Sequence, residues 1–271
     1  MNYVDSCRVP LFDIEKVPVP RVLLGHNPFI GYSYFSEARA AEYREKFQKR
    51  EAIKGLVAKS VENGVPGIFI SCAPHGHPLP TSNLIKAVEE ASRETGVEVL
   101  VISNMTDPKN DLERLARLNL RIAVIHGSVV DRMQAEDSFE GLAGMLGTIR
   151  DAGVVPGVVM HRCDNVDPLL NGSFDIGLYV SPFNLLGWCM APSRDSFVQI
   201  LGRLPKPHIA INPLAMGRIP PKEGCEWVFS HGIVNGCAIG IGSEHEMNED
   251  YGILKGIFEE SGKQSTRLAL S

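Results

Sequence analysis

The sequence lacks the features that mark a nucleic-acid binder, a membrane protein or a secreted protein. Lys and Arg number 27 against 32 Asp and Glu, the formal net charge is −5, and no basic run is long enough to follow a phosphate backbone. No apolar stretch reaches the roughly 18 residues that a membrane span requires. The first residues do not have the pattern of a secretion signal. We therefore expect a cytoplasmic protein that binds neither nucleic acid nor a membrane.

The cysteines are few and lack the spacing of a disulfide framework or a C-x-x-C metal motif. The six residues are Cys7, Cys72, Cys163, Cys189, Cys225 and Cys237. A chain of 271 residues buries roughly 70–75% of its unfolded surface, so it needs neither disulfide nor metal to fold. We expect reduced thiols, and we expect any bound metal to serve function. No feature of the sequence specifies an oligomeric state.

Short runs rich in Val, Ile and Leu recur along the chain and predict eight buried strands. The runs are nearly continuous, which is typical of parallel strands that are covered on both faces. They cover residues 21–25, 67–71, 98–103, 121–125, 155–160, 175–180, 207–211 and 236–241.

Amphipathic segments between the runs predict helices, with residues 164–174 left as a loop or a single turn. The predicted helices are 50–63, 82–94, 109–117, 138–152, 193–203, 221–231 and 243–261. Eight alternating units favour a single α/β domain over residues 1–271, a (β/α)₈ TIM barrel, over an open doubly wound sheet. Residues 1–20 would cover one end of the barrel, and the insertion 28–49 would form a lid.

Histidines cluster at the ends of the predicted strands. Enzymes with this fold place their chemistry at the carboxyl ends of the strands. Five of the eight histidines follow a predicted strand directly: His26, His75, His77, His126 and His161. A single histidine in such a place is usually structural, but the group as a whole indicates a functional site.

Two chemistries use such a cluster. Neutral imidazoles are common ligands of Zn²⁺ and Fe²⁺, and His75 and His77 would point to one side of an extended backbone. The predicted metal ligands are therefore His75, His77, His126 and His161. Alternatively, one or two histidines act as a general acid or base, and the predicted catalytic residues are His126, His161 and Asp164. The predicted substrate-binding residues are His26, Asn27, Asn104, Asn184, Asn212 and Arg218.

Residues 240–243, Gly-Ile-Gly-Ser, resemble a phosphate-binding loop at the start of the last helix. However, Ser243 and Glu246 also form an S-x-x-E capping box. A glutamate would then occupy the positive end of the helix, where a phosphate would otherwise bind. We therefore expect a helix cap here rather than a phosphate site.

Several of these segments resemble the aldo-keto reductase superfamily. Residues 208–218, His-Ile-Ala-Ile-Asn-Pro-Leu-Ala-Met-Gly-Arg, are similar to the family's seventh strand with its P-L-A-x-G run. Residues 238–246 are similar to its last strand and following helix, and His126 matches its fourth-strand histidine. The resemblance implies a (β/α)₈ barrel and a reductase that uses a nicotinamide cofactor.

The family's catalytic tetrad of Asp, Tyr, Lys and His is largely missing. The segment that should lead to the tyrosine reads Ser-Cys-Ala-Pro-His-Gly-His over residues 71–77, and the third strand ends in Asn104 rather than lysine. Losing a positioned proton donor alone costs roughly 10²- to 10⁴-fold in rate. The last loop also lacks basic residues for the 2′-phosphate of NADP.

Three functions follow as hypotheses. The first is an enzyme with histidine-centred, metal-assisted chemistry on a small polar metabolite, of the hydrolase, isomerase or lyase type. The second is a divergent NADPH-dependent oxidoreductase, which fold likeness alone supports. The third is a non-catalytic barrel that binds a ligand.

Metal content and nucleotide binding separate these hypotheses. The first predicts stoichiometric metal by elemental analysis and no fluorescence change when reduced nicotinamide nucleotide is titrated. It also predicts that replacing His126 and His161 together by alanine lowers the metal content with little loss of stability. Unchanged metal content in that variant would reject the assigned ligands.

Overall fold

Eight parallel strands close into a barrel in the computed structural model, which describes residues 1–72, 77–164, 166–171 and 173–269, with side chains up to Ser261. The barrel strands are β3 (Val22–Gly25), β4 (Gly67–Ser71), β5 (Leu100–Met105), β6 (Asn119–Ile125), β7 (Val155–Val159), β8 (Leu178–Pro182), β9 (His208–Ile211) and β10 (Gly236–Gly240). Each pairs with the next in chain order, and β10 pairs with β3 to close the ring. The predicted (β/α)₈ barrel and all eight predicted strands are confirmed.

The barrel strands are buried because their side chains pack on both faces. Every residue of β3, β4, β5, β7 and β8 is buried. One face of each strand fills the barrel interior, and the other packs against the surrounding helices. This double burial is the reason that the sequence shows continuous apolar runs instead of an alternating pattern.

Helices surround the barrel and connect its strands. They are α1 (Tyr3–Ser6), α2 (Glu37–Phe47), α3 (Arg50–Glu62), α4 (Thr81–Thr95), α5 (Pro108–Leu115), α6 (Gly127–Ala135), α7 (Leu142–Asp151), α8 (Asp167–Leu170), α9 (Arg194–Leu201), α10 (Pro221–Ser230) and α11 (Glu244–Ala269). The single turn α8 lies in the segment 164–174, as expected. Within the described ranges, no helix is long and apolar enough to cross a bilayer.

The connection between β6 and β7 differs from the prediction. A single helix over residues 138–152 was expected, but the structure has two helices: α6, which precedes that range, and α7, which lies within it. Helix α6 begins with a glycine, and the His126 side chain is its N-cap. Neither residue is a common signal for a helix start, since Ser, Thr, Asp and Asn are the preferred N-caps.

An amino-terminal hairpin lies against the end of the barrel where the strands begin. Its strands β1 (Leu11–Ile14) and β2 (Val17–Pro20) pair antiparallel. The Phe12 ring closely approaches Gly236, the first residue of β10. Glu15 forms a 2.7 Å ion pair with Arg150, near the end of α7. The hairpin therefore lies at the opposite end from the predicted active face.

The insertion after β3 lies over the carboxyl ends of the strands. It contains a 3₁₀ turn (Asn27–Ile30) and helix α2. Its Tyr34 ring approaches Trp188, in the segment after β8, with 5.3 Å between ring centroids. Because β3 and β8 are well separated around the barrel, this aromatic contact connects distant sides of the mouth.

Candidate active site

A cavity of about 860 Å³ opens at the carboxyl ends of the barrel strands. Loops from several strands and the insertion after β3 contribute to its wall. The predicted site residues that line it are His26, Asn27, His77, Asn104, His126, His161 and Asn212. Four imidazoles from separate strand ends therefore share one cavity. The fifth predicted histidine, His75, lies outside the described residues.

His26 follows β3 and is buried as a neutral imidazole. Its Nδ1 donates a hydrogen bond to the Phe69 carbonyl oxygen at 3.1 Å, because a carbonyl can only accept. The lone pair of the neutral ring is therefore on Nε2. Burial lowers the pKa of His26 to about 3, with nearby His77 as a smaller cause. His26 is thus a hydrogen-bond acceptor at neutral pH and not a cation.

His126 has the opposite tautomer because it caps helix α6. Its Nδ1 accepts a hydrogen bond from the Ser128 backbone N–H at 3.1 Å, and the Ser128 Oγ hydroxyl lies 2.8 Å from the same nitrogen. The Nδ1 lone pair is therefore in use, and the proton of the neutral ring is on Nε2. Burial lowers the pKa of His126 to about 4, and His161 adds to this shift. His126 can therefore donate a hydrogen bond into the cavity while uncharged.

His161 is oriented by Asp131, a residue on helix α6 that the sequence analysis missed. One carboxylate oxygen of Asp131 accepts the His161 backbone N–H at 3.0 Å, and the other lies 2.7 Å from its ring Nδ1. This pairing places a proton on Nδ1 and the lone pair on Nε2. An imidazole held by a carboxylate in this way is the usual arrangement of a general base.

Gly127 makes room for the His161 ring. A Cβ atom at Gly127 would lie 2.2 Å from Cε1 and 2.4 Å from Nδ1 of His161. Real Cβ atoms do not approach other atoms so closely, so a side chain at position 127 would require the His161 ring to move. The start of α6 therefore supplies the N-cap histidine and the glycine, and its next turn supplies the orienting carboxylate of the same site.

Two further side chains at the cavity have polar atoms without partners. Among the described residues, no group forms a hydrogen bond with either ring nitrogen of His77 or with the Oδ1 atom of Asn104, although these atoms are buried. The His77 ring lies edge-on to Tyr32, with 6.5 Å between ring centroids. Buried polar groups are nearly always hydrogen-bonded in folded proteins. These groups are therefore available to a bound ligand.

Three predicted site residues are not brought to the cavity wall. Asp164 instead binds the Arg162 guanidinium, with 3.0 Å between Oδ1 and Nε, because these two side chains lie on the same short turn. Asn184 is fully buried. Its side-chain amide holds its own loop, because Nδ2 donates to the Trp188 carbonyl oxygen and Oδ1 accepts from the Trp188 backbone N–H. Arg218 is exposed to solvent and is not part of the lining.

The described residues do not by themselves form a three-ligand metal site. Within the described ranges, no three His, Cys, Asp or Glu side chains are close enough together to hold a metal ion. His126 is also unsuited as an Nε2 ligand, since its cap bond places the proton on Nε2. His26 and His161 do have the lone pair on Nε2. The predicted ligand His75 lies outside the described residues, so metal binding stays a prediction.

The first turn of α11 is occupied by the protein's own carboxylate. Glu246 accepts the Gly242 N–H at 2.7 Å, and its backbone N–H donates to Ser243 Oγ at 3.2 Å. The expected capping box is therefore confirmed. Glu246 also forms an ion pair with Arg39, and the Tyr43 ring lies against Gly242. Glu246 therefore occupies the Gly242 amide and the Arg39 guanidinium, two groups at this helix start that could otherwise bind a phosphate.

The barrel resembles those of aldo-keto reductases. No protein-family model matches the chain, and no curated protein matches it. A solved structure assigned as an aldo-keto reductase from Pseudomonas aeruginosa has 14% identity and a TM-score of 0.63, covering 92% of this chain and 94% of its own. The holo form of an aldo-keto reductase from Bacillus halodurans has 12% identity and a TM-score of 0.57, covering 93% and 96%.

A second kind of barrel enzyme is also similar. A phospho-2-dehydro-3-deoxyheptonate aldolase from Thermotoga maritima has 12% identity and a TM-score of 0.51, covering 96% of this chain and 74% of its own. At these identities the likeness concerns the fold alone. The predicted resemblance to aldo-keto reductases is confirmed at that level, and the same fold supports unrelated chemistries.

Replacing Gly127 by alanine is expected to displace the His161 ring and to break its bond to Asp131. Alanine normally stabilises a helix by about 0.5–1 kcal/mol over glycine, so the strain should appear as the loss of that gain or as net destabilisation in thermal unfolding. Gly144→Ala on α7 is the matched control, because a Cβ there meets no atom within 4 Å. A Gly127→Ala protein as stable as the Gly144→Ala protein would contradict this packing.

Proposed function

We propose that the protein is an acid–base enzyme that transfers a proton on a small polar carbonyl compound, as isomerases and lyases do. One observation carries this proposal: the imidazole of His161, oriented by Asp131, shares a cavity with the Nε2–H of His126. A proton acceptor and a neutral hydrogen-bond donor in one cavity are the two groups that enolisation requires.

His161 takes the role of general base. Its Nδ1–H bond to Asp131 leaves the Nε2 lone pair to accept a proton from the substrate. When the ring becomes an imidazolium ion, the carboxylate stabilises its charge without taking the proton. The second bond, from the His161 backbone N–H to Asp131, keeps the strand end and the carboxylate in register.

His126 polarises the substrate carbonyl oxygen. Its depressed pKa keeps the ring neutral at physiological pH, so it stabilises a developing enolate by donating a hydrogen bond from Nε2. A neutral imidazole in this role is known from triosephosphate isomerase, which is also a barrel enzyme. The cap bond from Ser128 fixes the tautomer that this role requires.

His26 and Asn104 would bind substrate hydroxyl groups. Because Nδ1 of the neutral His26 ring donates to the Phe69 carbonyl, its Nε2 atom can accept a hydrogen bond. The Oδ1 atom of Asn104 has no hydrogen-bond partner among the described residues. Both residues line the cavity. A hydroxyl that donates to either would satisfy a group that the folded protein leaves without a bond.

Reduction by a nicotinamide nucleotide fits this cavity less well. The residues that would hold its phosphates do not fit, because Glu246 already binds the amide at the start of α11. Arg39 is the only Lys or Arg in the described lining, and Glu246 and Tyr43 already bind it. Asn104 stands where the resemblance would require lysine.

Metal assistance stays a separate prediction that the elemental analysis above decides. The proton transfer described here uses only side chains of the described residues. A metal bound with His75 would add polarisation of the carbonyl oxygen without changing the role of His161.

Proton transfer predicts hydrogen exchange on suitable substrates. The protein is incubated in D₂O with small hydroxyaldehydes and hydroxyketones, with and without an amino group, and deuterium at the carbon beside the carbonyl is followed by NMR. Wild-type protein should accelerate exchange for at least one compound. His161→Ala and Asp131→Asn should each lower that rate by about 10²- to 10⁴-fold.

Asp164→Asn is the matched control, because Asp164 is near His161 in sequence but does not bond to its ring, and its effect should be far smaller than that of Asp131→Asn. Exchange that persists in His161→Ala would reject this base. The absence of exchange with every compound would favour the non-catalytic ligand-binding barrel.

A further inference from the structure

The cavity continues beyond the histidines into a region bordered by β10 and by the beginnings of α10 and α11. We call this region the acidic arm and define it by Gly240, Pro221, Glu246, Glu249 and Asp250, which all line the cavity. The chemistry described above uses none of these side chains. Three carboxyl groups therefore lie at one end of a cavity whose other end carries neutral imidazoles.

Asp250 has no structural partner. Its side chain belongs to a residue that is only 4% exposed, and it makes no hydrogen bond or ion pair with any described residue. The groups around it are the carboxyls of Glu246 and Glu249 and the thiols of Cys225 and Cys237. Burial raises the pKa of both thiols, so they stay neutral. Neither thiol therefore supplies a positive charge to balance the Asp250 carboxylate.

A buried carboxyl group without a partner destabilises the folded protein. Burying a charge without a partner is unfavourable, and an apolar or amide side chain would avoid that cost. Burial, followed by the two glutamates, raises the pKa of Asp250 to about 7. Because the group lines the cavity, a ligand can supply the partner that the protein does not.

Glu246 differs from Asp250, since the fold itself accounts for it. It caps α11 and pairs with Arg39, so it is not a free ligand group. Glu249 is exposed to solvent. Asp250 is therefore the member of the acidic arm that is both buried and without a partner.

The chemistry of the arm selects a monovalent organic cation. Anions would meet three carboxyl groups and no free Lys or Arg in the described lining. A divalent metal needs several ligands, and the described residues offer no three side chains grouped to hold one. An ammonium group supplies one positive charge and three hydrogen-bond donors, which fits a single buried carboxylate.

We infer that the acidic arm binds a protonated amine, with Asp250 as its counter-ion. The inference rests on the proposed function for the other end of the substrate: the carbonyl group reacts at His161 and His126, and the ammonium group is held at Asp250. The substrate class is then a small amino compound that also carries a carbonyl or hydroxyl group.

Matched pairs of amines and alcohols test this inference without knowledge of the substrate. The probes are ethanolamine and ethylene glycol, 4-amino-1-butanol and 1,4-butanediol, and glucosamine and glucose. Binding to the wild-type protein is measured by ligand-observed NMR at low ionic strength. We expect the amine to bind at least about tenfold more tightly than its alcohol in at least one pair. No amine preference in any pair would overturn the inference.

Variants locate the binding group. Asp250→Asn should remove the amine preference and should fold normally, because no bond is lost, and Asp250→Ser is the second variant should the amide not be tolerated. Glu259→Gln, an exposed residue on the same helix, is the matched control and should keep the preference. A preference that survives in both Asp250 variants would overturn the assignment of the counter-ion.

The two proposals fail separately. His161→Ala should keep the full amine preference while losing hydrogen exchange, because it leaves the acidic arm intact. Exchange that depends on His161 without any amine preference would overturn this inference alone. An amine preference without exchange would leave the acidic arm established and reject the acid–base chemistry.

Discussion

Two hydrogen bonds that the Asp131 carboxylate accepts from His161 determine what this cavity can do. One bond holds the backbone at the end of a barrel strand, and the other fixes the tautomer of the ring. The bonds are possible because Gly127 leaves space for the imidazole. The same helix turn is capped by His126, whose proton is thereby placed on the opposite ring nitrogen. One helix start thus produces an acceptor and a donor side by side.

The barrel was predictable from the sequence because its strands are buried on both faces. That burial requires long apolar runs such as those of β4 and β5, and the runs appear whatever the function is. The histidines were found because their positions follow directly from the strand ends. By contrast, helix α6 was missed because a histidine and a glycine replace the usual start signals.

The orienting carboxylate was missed for a related reason. Asp131 lies inside a helix and reaches the site from one turn away, whereas Asp164 is near His161 in sequence and looked the better partner. Asp164 instead accepts a hydrogen bond from the Arg162 guanidinium on the same turn. Asn184 follows a strand as predicted, yet its side-chain amide is already hydrogen-bonded to the backbone of its own loop. Proximity in sequence does not show which polar groups already have partners.

The likeness to aldo-keto reductases therefore concerns the scaffold and does not include the charged groups around the cavity. The start of the last helix is closed by Glu246, and Asp250 lies further along that helix as a buried carboxyl without a partner. Two strand ends carry neutral imidazoles in defined tautomers, those of His26 and His126. A cavity with these properties favours an uncharged reacting group and a positively charged recognition group.

The tautomers of the cavity histidines test this account most directly. Long-range ¹H–¹⁵N NMR of protein labelled in its histidines, with assignments from single His→Gln variants, reports which ring nitrogen carries the proton. At pH 7 the account predicts a proton on Nδ1 of His161 when the ring is neutral and on Nε2 of His126. A neutral His161 with its proton on Nε2, or His126 with its proton on Nδ1, would contradict it.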